Sequence, residues 1–279
     1  MKNLLIGFII ILSLNNAQFK ETITVGAFGC DYKTINEAVF VARDSPDNPV
    51  RILIMPGAYI ESVDISGRYI SLVGVNKHLC VIKNYYNDYS KTPVNISGSN
   101  NTVKNLTIVS AQDKNTPIRS GSYGIHCDSV GQGAGKSLIE NCIIKSVQNA
   151  GIGLGTNNQQ EITIKDCEII SDNTRALYAH NYQLSGSSGQ KLNVIDCKIT
   201  SCSNEPAIIL QDANHRSEGR FIGGYDDQRD SVFTFINNMV KSSVAGFGGD
   251  APLDSESLSG YIRLGQGSRG NNVREININ

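Results

Sequence analysis

The sequence predicts an all-β fold, a single-stranded right-handed parallel β-helix closed at its start by a capping helix. Three observations carry that expectation. One short apolar run recurs five times, a second series of runs falls between its copies, and helical periodicity appears with conviction only once.

Residues 1–17 read as a secretory signal. Lys2 supplies the positive start, Leu4 to Leu14 form an apolar run broken only by Gly7 and Ser13, and Ala17 offers a small residue at the cut. Eleven residues are too few to span a bilayer, which needs about 20. The expectation is an exported, soluble protein in which residues 18–279 form one domain without a linker.

The helix follows at residues 34–42. Ile35, Ala38, Val39 and Ala42 share one face, and Thr34 with Glu37 makes a capping box. Such a helix covers the first coil, whose open edge would otherwise invite strand addition.

The repeat begins at Val103-Lys104-Asn105-Leu106-Thr107-Ile108. Equivalent runs start at Ile139, Ile164, Val194 and Phe235. Their Asn or Asp residues (Asn105, Asn141, Asp166, Asp196 and Asn237) lie 36, 25, 30 and 41 residues apart. A variable period with a floor in the twenties fits a solenoid whose coils carry loop insertions. Asn and Asp at one recurring place mark a corner, where their side chains satisfy turn backbone. The second series is Gly124–Asp128, Gly151–Gly155, Ala176–His180 and Ala207–Asp212. Two strand series per coil are expected. Ile125/Ile152/Leu177/Ile208 and Cys127/Leu154/Ala179/Leu210 should point inward, because one coil cannot bury its apolar face alone.

Composition narrows the function classes. The chain has 279 residues with 25 basic and 26 acidic side chains, a balance that leaves no electrostatic footprint for nucleic acid or a membrane surface. Charged residues are 18% and Gly and Asn number 27 and 28, which excludes a coiled coil and a charge-rich disordered chain. Trp is absent, so stacking on sugar rings falls mainly to Tyr. Seven cysteines without CxxC spacing point to no metal site, and no cofactor motif stands out. Cys142, Cys167 and Cys197 hold one repeat position and read as buried small residues. Cys30 and Cys80 are disulfide candidates in an oxidising compartment.

Three segments carry a resemblance. Gly29-Cys30-Asp31-Tyr32-Lys33-Thr34-Ile35-Asn36-Glu37-Ala38-Val39, then Pro56-Gly57-Ala58-Tyr59-Ile60-Glu61 and Leu72-Val73-Gly74, resemble the opening of the pectin methylesterase family. The likeness covers roughly residues 23–110 and implies a parallel β-helix acting on polysaccharide. It does not carry the catalytic set across: there is no Asp-Phe-Ile-Phe-Gly segment, no Gly-Arg-Pro-Trp, and a Gln-Asp pair at Gln211-Asp212 continues as Ala213-Asn214. From Ser122 onward the chain is more similar to pectinesterase-like β-helix proteins of phage and prophage tails. Such tail proteins are often trimers, so that similarity implies a homotrimer.

Alternation places His126, Gly153, Tyr178 and Ile209 in one outward column. Asp128, Gly155, His180 and Gln211 form the next, bordered by Asn181 and Asp212. A strip of His, Asp, Asn and Gln with a Tyr ring and a glycine gap suits a saccharide. Asp128, His180 and Asp212 are the acid/base candidates. Asp128 and Asp212 lie three coils apart, at least about 14 Å, too far to act as a pair. His180 with Asp212 on neighbouring coils is the better pairing. His126, Tyr178, Asn181 and Gln211 are the expected substrate contacts, with His215 and Arg216 beyond the strip able to bind a uronate carboxylate. Three readings stand: an esterase or depolymerase with a relocated site, a non-catalytic glycan-binding or adhesin protein, and a structural solenoid.

Overall fold

The structure is a computed structural model that describes residues 21–42, 49–84, 92–110, 123–127, 135–155, 161–180, 191–203, 206–211, 231–242, 251–252, 262–264 and 273–278. Short strands feed three sheets in rotation. Sheet 1 runs β1 (Glu21–Val25), β2 (Val50–Ile54), β5 (Ile70–Gly74), β8 (Thr102–Lys104), β11 (Lys136–Glu140), β14 (Glu161–Lys165), β17 (Lys191–Ile195), β20 (Ser231–Ile236) and β24 (Val273–Ile278). Sheet 2 runs β4 (Val63–Ile65), β7 (Val94–Ile96), β10 (Ile125–Cys127), β13 (Ile152–Leu154), β16 (Leu177–His180), β19 (Ile208–Gln211) and β23 (Ile262–Leu264). Sheet 3 runs β3 (Gly57–Ile60), β6 (Cys80–Lys83), β9 (Thr107–Ser110), β12 (Ile143–Ser146), β15 (Glu168–Ser171), β18 (Lys198–Ser201), β21 (Met239–Lys241) and β22 (Ala251–Pro252). Strands pair in parallel except β21 with β22.

Each coil therefore holds three strands, where two were expected. The recurring apolar run is two strands belonging to different sheets. Asn105, Asn141, Asp166, Asp196 and Asn237 sit between them with φ of 56°, 50°, 53°, 53° and 52°. This left-handed backbone bends the chain sharply, and Asn and Asp tolerate it better than other side-chain-bearing residues. Four of the five donate their backbone N–H to the next coil, at Glu140, Lys165, Ile195 and Ile236. Asn141 Nδ2 also donates to Asn105 Oδ1 at 2.8 Å, and Lys77 Nζ to Asn141 Oδ1 at 2.7 Å. Gly74 holds the equivalent place one coil earlier, where a Cβ would stand 2.1 Å from the Asn105 carbonyl oxygen.

The next position forms a second column. Cys142, Cys167 and Cys197 are buried, and their thiols donate to Val103, Ile139 and Ile164 of the preceding coil at 3.6–3.7 Å. In the last of these coils Asn238 takes the place, donating Nδ2 to Val194 O at 2.9 Å. The column is thus a set of hydrogen-bond donors as well as small residues.

A third column is a serine ladder at the ends of the sheet 3 strands. Ser110, Ser146, Ser171 and Ser201 are in register and buried. Ser171 Oγ donates to Asn149 O at 2.8 Å and Ser201 Oγ to Thr174 O at 2.7 Å, while Asn149 N and Thr174 N donate to Ser146 and Ser171. These bonds satisfy the turn that leads into sheet 2.

Between the sheets run the apolar columns. Ile125, Ile152, Leu177 and Ile208 are register partners and fully buried, as expected. Burying one such side chain contributes about 1.5–3 kcal/mol. The surface ion pairs Lys104–Glu140, Lys136–Glu161 and Lys145–Asp172 are worth about 0–1 kcal/mol each, so the columns dominate stability.

The cap is helix α1 (Ile35–Val41), with Thr34 as N-cap and both bonds of the capping box present. Glu61 adds to it from 25 or 26 residues away: its carboxylate accepts from Ile35 N at 2.9 Å, Asn36 N at 3.0 Å and Asn36 Nδ2 at 2.9 Å. Tyr59 Oη donates to Met55 O at 2.8 Å, and burial pushes its pKa up to about 12. Asp31 Oδ2 accepts from Thr24 N and Oγ1, both at 2.7 Å, which lowers its pKa. Of the residues in the resembling segments, Thr34, Glu37 and Glu61 hold this cap, while Asp31 ties to Thr24 and Tyr59 to Val25 and Met55 on the chain beneath it.

Candidate functional site

Sheet 2 presents one outward column along the solenoid: Asp64, Asn95, His126, Gly153, Tyr178, Ile209 and Arg263 are successive register partners. Strand alternation puts them there, since Val63, Ile65 and their equivalents fill the core. The column begins polar. Asp64 Oδ1 accepts from Asn95 Nδ2 at 2.9 Å and from Ser97 Oγ at 2.8 Å.

Its middle is apolar and covered. Tyr123, Ala150, Tyr178 and Ile209 form a second buried cluster outside the main core. The Tyr123 ring stacks on His126, with centroids 4.7 Å apart and planes 11° from parallel. The same ring fills the space above Gly153, where an added Cβ would meet it at 2.6 Å. Tyr178 is 7% exposed, and the Arg175 guanidinium lies 4.2 Å from its ring centroid in a cation–π contact.

Two expectations are corrected by this packing. The glycine gap at 153 is occupied by Tyr123, and the Tyr178 face expected to be open to a sugar ring is held by Arg175. Both covering residues stand three positions before the outward residue of their own coil: Tyr123 before His126, and Arg175 before Tyr178. That spacing was the available signal. It was missed because strict alternation assigns only residues inside a strand.

Burial lowers the His126 pKa to about 4. At neutral pH the imidazole is therefore uncharged, with one N–H donor and one acceptor nitrogen. So low a pKa suits hydrogen bonding or orientation better than proton transfer near pH 7.

Of the other expected residues, His180 and Gln211 are register partners on β16 and β19. Their side chains lie outside the described residues, as do Asp128, Asn181, Asp212, His215 and Arg216 in full. Among the described residues no three His, Cys, Asp or Glu side chains group as a metal site would require. No described helix is long and apolar enough to cross a membrane. Cys30 and Cys80 are free thiols.

Comparison with known proteins agrees with this architecture. Residues 54–222 match the family described as right handed beta helix region. A search of curated proteins finds no match. Among solved structures the chain is similar to YbhC of Escherichia coli, with a TM-score of 0.54 at 13% identity, covering 94% of this chain and 85% of that one. It is also similar to the pectin methylesterase of Yersinia enterocolitica, with a TM-score of 0.51 at 15% identity, covering 88% and 89%. At these identities the likeness is one of fold, a pectin methylesterase-like solenoid. Three parallel sheets, the corner ladder and the family match together place the chain in the right-handed β-helix family.

Proposed function

We propose that this protein is exported and recognises polysaccharide along the outward face of sheet 2. The observation that carries this reading is the register of His180 with Gln211, the residue that directly precedes Asp212. It sets His180 and Gln211 side by side on adjacent coils, with Asp212 one residue beyond, next to a column that begins with the Asp64–Asn95–Ser97 cluster. The likeness of fold to a pectin methylesterase favours a carbohydrate ligand. Chemistry at the strip, as an ester or glycosidic cleavage, rests on His180 and Asp212 as the acid/base pair, with Asp128 as a further candidate. Asn181, Gln211, His215 and Arg216 then contact the sugar. Recognition without turnover, as in a tail-type adhesin, is the second reading. The neutral His126 at the covered centre of the strip favours it.

The test is incubation of residues 18–279 with polyuronates and bacterial surface glycans, read by mass spectrometry. Methanol, acetate or shortened chains, lost in Asp212→Asn and His180→Ala, identify an enzyme. Intact glycans that co-elute with the protein, and cease to do so in His180→Ala, identify a binding module. Absence of both products and binding overturns the proposal and leaves a structural solenoid. Sedimentation of the same material measures whether the chain is a homotrimer, and N-terminal sequencing of exported protein checks cleavage after Ala17.

A further inference from the structure

A hollow of about 450 Å³ lies where the cap meets the first coils, a volume ordinary for a small-molecule site. The last turn of α1 lines it with Val39 and Phe40, and the chain from β4 to β5 lines it with Asp64, Ser66 and Ile70. Alternation decides what β4 presents. Val63 and Ile65 are buried in the core, so Asp64 between them points outward.

The polar groups of the lining are acceptors. Asp64 Oδ1 accepts from Asn95 Nδ2 and Ser97 Oγ, which fixes the carboxylate and leaves Oδ2 without a donor among the described residues. Asn36, also in the lining, donates from Nδ2 to Glu61 Oε2 at 2.9 Å and to Ser62 O at 3.2 Å. Both amide hydrogens are thus committed, and Asn36 Oδ1 is left to accept. On the strand next to Asp64, the Asn95 Oδ1 is enclosed without a donor. Turning that amide over would not help, because its Nδ2 holds Asp64.

Positive charge is missing from the hollow. Among the described residues no Lys or Arg lines it, and Asp64 makes no ion pair. Arg68, close by in sequence, lies over the Tyr69 ring, 5.5 Å from its centroid. The last turn of α1 carries no basic residue, although a helix C-terminus favours a cation.

This inventory selects the ligand. Acceptors around one carboxylate call for a donor-rich cation, and an ammonium group has three N–H donors and no acceptor. The rest of the lining is apolar: Val39, Ile70 and Phe40, whose ring is 90% exposed. A bare metal ion gains nothing from such a wall. Among the described residues no three His, Cys, Asp or Glu side chains group to hold one.

We propose that this hollow binds a primary ammonium ion carried on an apolar body, with its N–H groups toward Asp64, Ser66 and Asn36 and its body against Val39, Phe40 and Ile70. The inference is independent of the reading of sheet 2, since both the site and the ligand differ.

The experiment is nuclear magnetic resonance of residues 18–279 with labelled Val and Ile methyl groups. The probes are phenethylammonium chloride and its neutral analogue 2-phenylethanol. The ammonium should shift the Val39 and Ile70 methyl signals saturably. It should bind about tenfold more tightly than the alcohol, the worth of one charge-assisted hydrogen bond. Asp64→Asn should remove that advantage, and Phe40→Ala should weaken ammonium binding about threefold by taking away the ring beneath the cation. Both side chains are exposed, and unchanged methyl signals elsewhere confirm that the variants fold. His180→Ala should leave ammonium binding as it was. Equal binding of the two probes, or ammonium binding indifferent to Asp64→Asn, overturns the proposal. So does the absence of shifts at Val39 and Ile70. None of these results touches the sheet 2 reading, which is decided by glycans and His180.

Discussion

The Tyr123 ring and the His126 imidazole lie parallel, 4.7 Å apart, on the outside of a sheet rather than in the core between sheets. The pair is seated by what Gly153 lacks. Replacing Gly153 with Ala would bring a methyl group to 2.6 Å from the ring, so the stack must move. Overpacking of this kind costs about 1–3 kcal/mol. Gly153→Ala should lower the urea midpoint and alter the near-ultraviolet dichroism of tyrosine. The double variant with Tyr123→Ala should recover part of the loss relative to the sum of the single changes. Strict additivity would mean that ring and glycine do not meet.

His126 makes stability depend on acid. Its folded pKa of about 4 lies below the ordinary 6.5. Between those values the unfolded chain binds a proton that the folded chain refuses. Stability is therefore full above about pH 6.5 and falls as pH drops toward 4. The gap corresponds to about 3 kcal/mol at its fullest. Urea midpoints at pH 4.5 and 7 should differ less in His126→Phe than in the natural protein. An identical difference in both would assign the acid sensitivity to other groups.

The N-terminal cap depends on a distant carboxylate. Glu61 accepts three hydrogen bonds from Ile35 and Asn36 at the start of α1. Glu61→Ala leaves the backbone donors of the first turn without that acceptor and should cost about 1–3 kcal/mol. Glu37→Ala removes an exposed partner of Thr34 and should cost less. Hydrogen exchange at Ile35 and Asn36 is the direct measure. Equal protection in both variants would remove Glu61 from the cap.

The thiols should divide by burial. Hydrogen bonding with Cys142 and burial push the Cys167 thiol up, and Cys167 with burial does the same to Cys197. Such thiols hold little thiolate and react slowly. In the native protein a thiol reagent should label Cys202 first, because it is exposed, and Cys30 next. Cys142, Cys167 and Cys197 should label only when the chain unfolds. Early modification of any of these three would show that their coils open readily.

The corner residues show how the sequence was readable and where it stopped. Asn105, Asn141, Asp166, Asp196 and Asn237 were visible because a left-handed bend admits few residue types. The inward columns were visible because alternation has a fixed period. The third strand of each coil was hidden, since a run such as Ile139–Ser146 keeps its apolar character through the bend at Asn141. The serine ladder was equally hidden: Ser146 or Ser171 alone looks like any strand-ending serine, and only stacking reveals a column. The outward column of sheet 2 was placed correctly, but its accessibility was not. Whether Tyr178 is open depends on Arg175, which lies before the strand that displays it.

The corner ladder makes the molecule countable. Asn141 and Asp166 have the same backbone shape, and each is followed by a cysteine that hangs from the coil before it. Residues 142–166 thus amount to one unit of thread, 25 residues long, bounded by joints of the same backbone shape. Cutting that unit out would set Asn141 directly before Cys167, the same junction the chain already uses. Copying it in would lengthen the rod by one pitch. Length in such a solenoid is set by how many times the thread is wound.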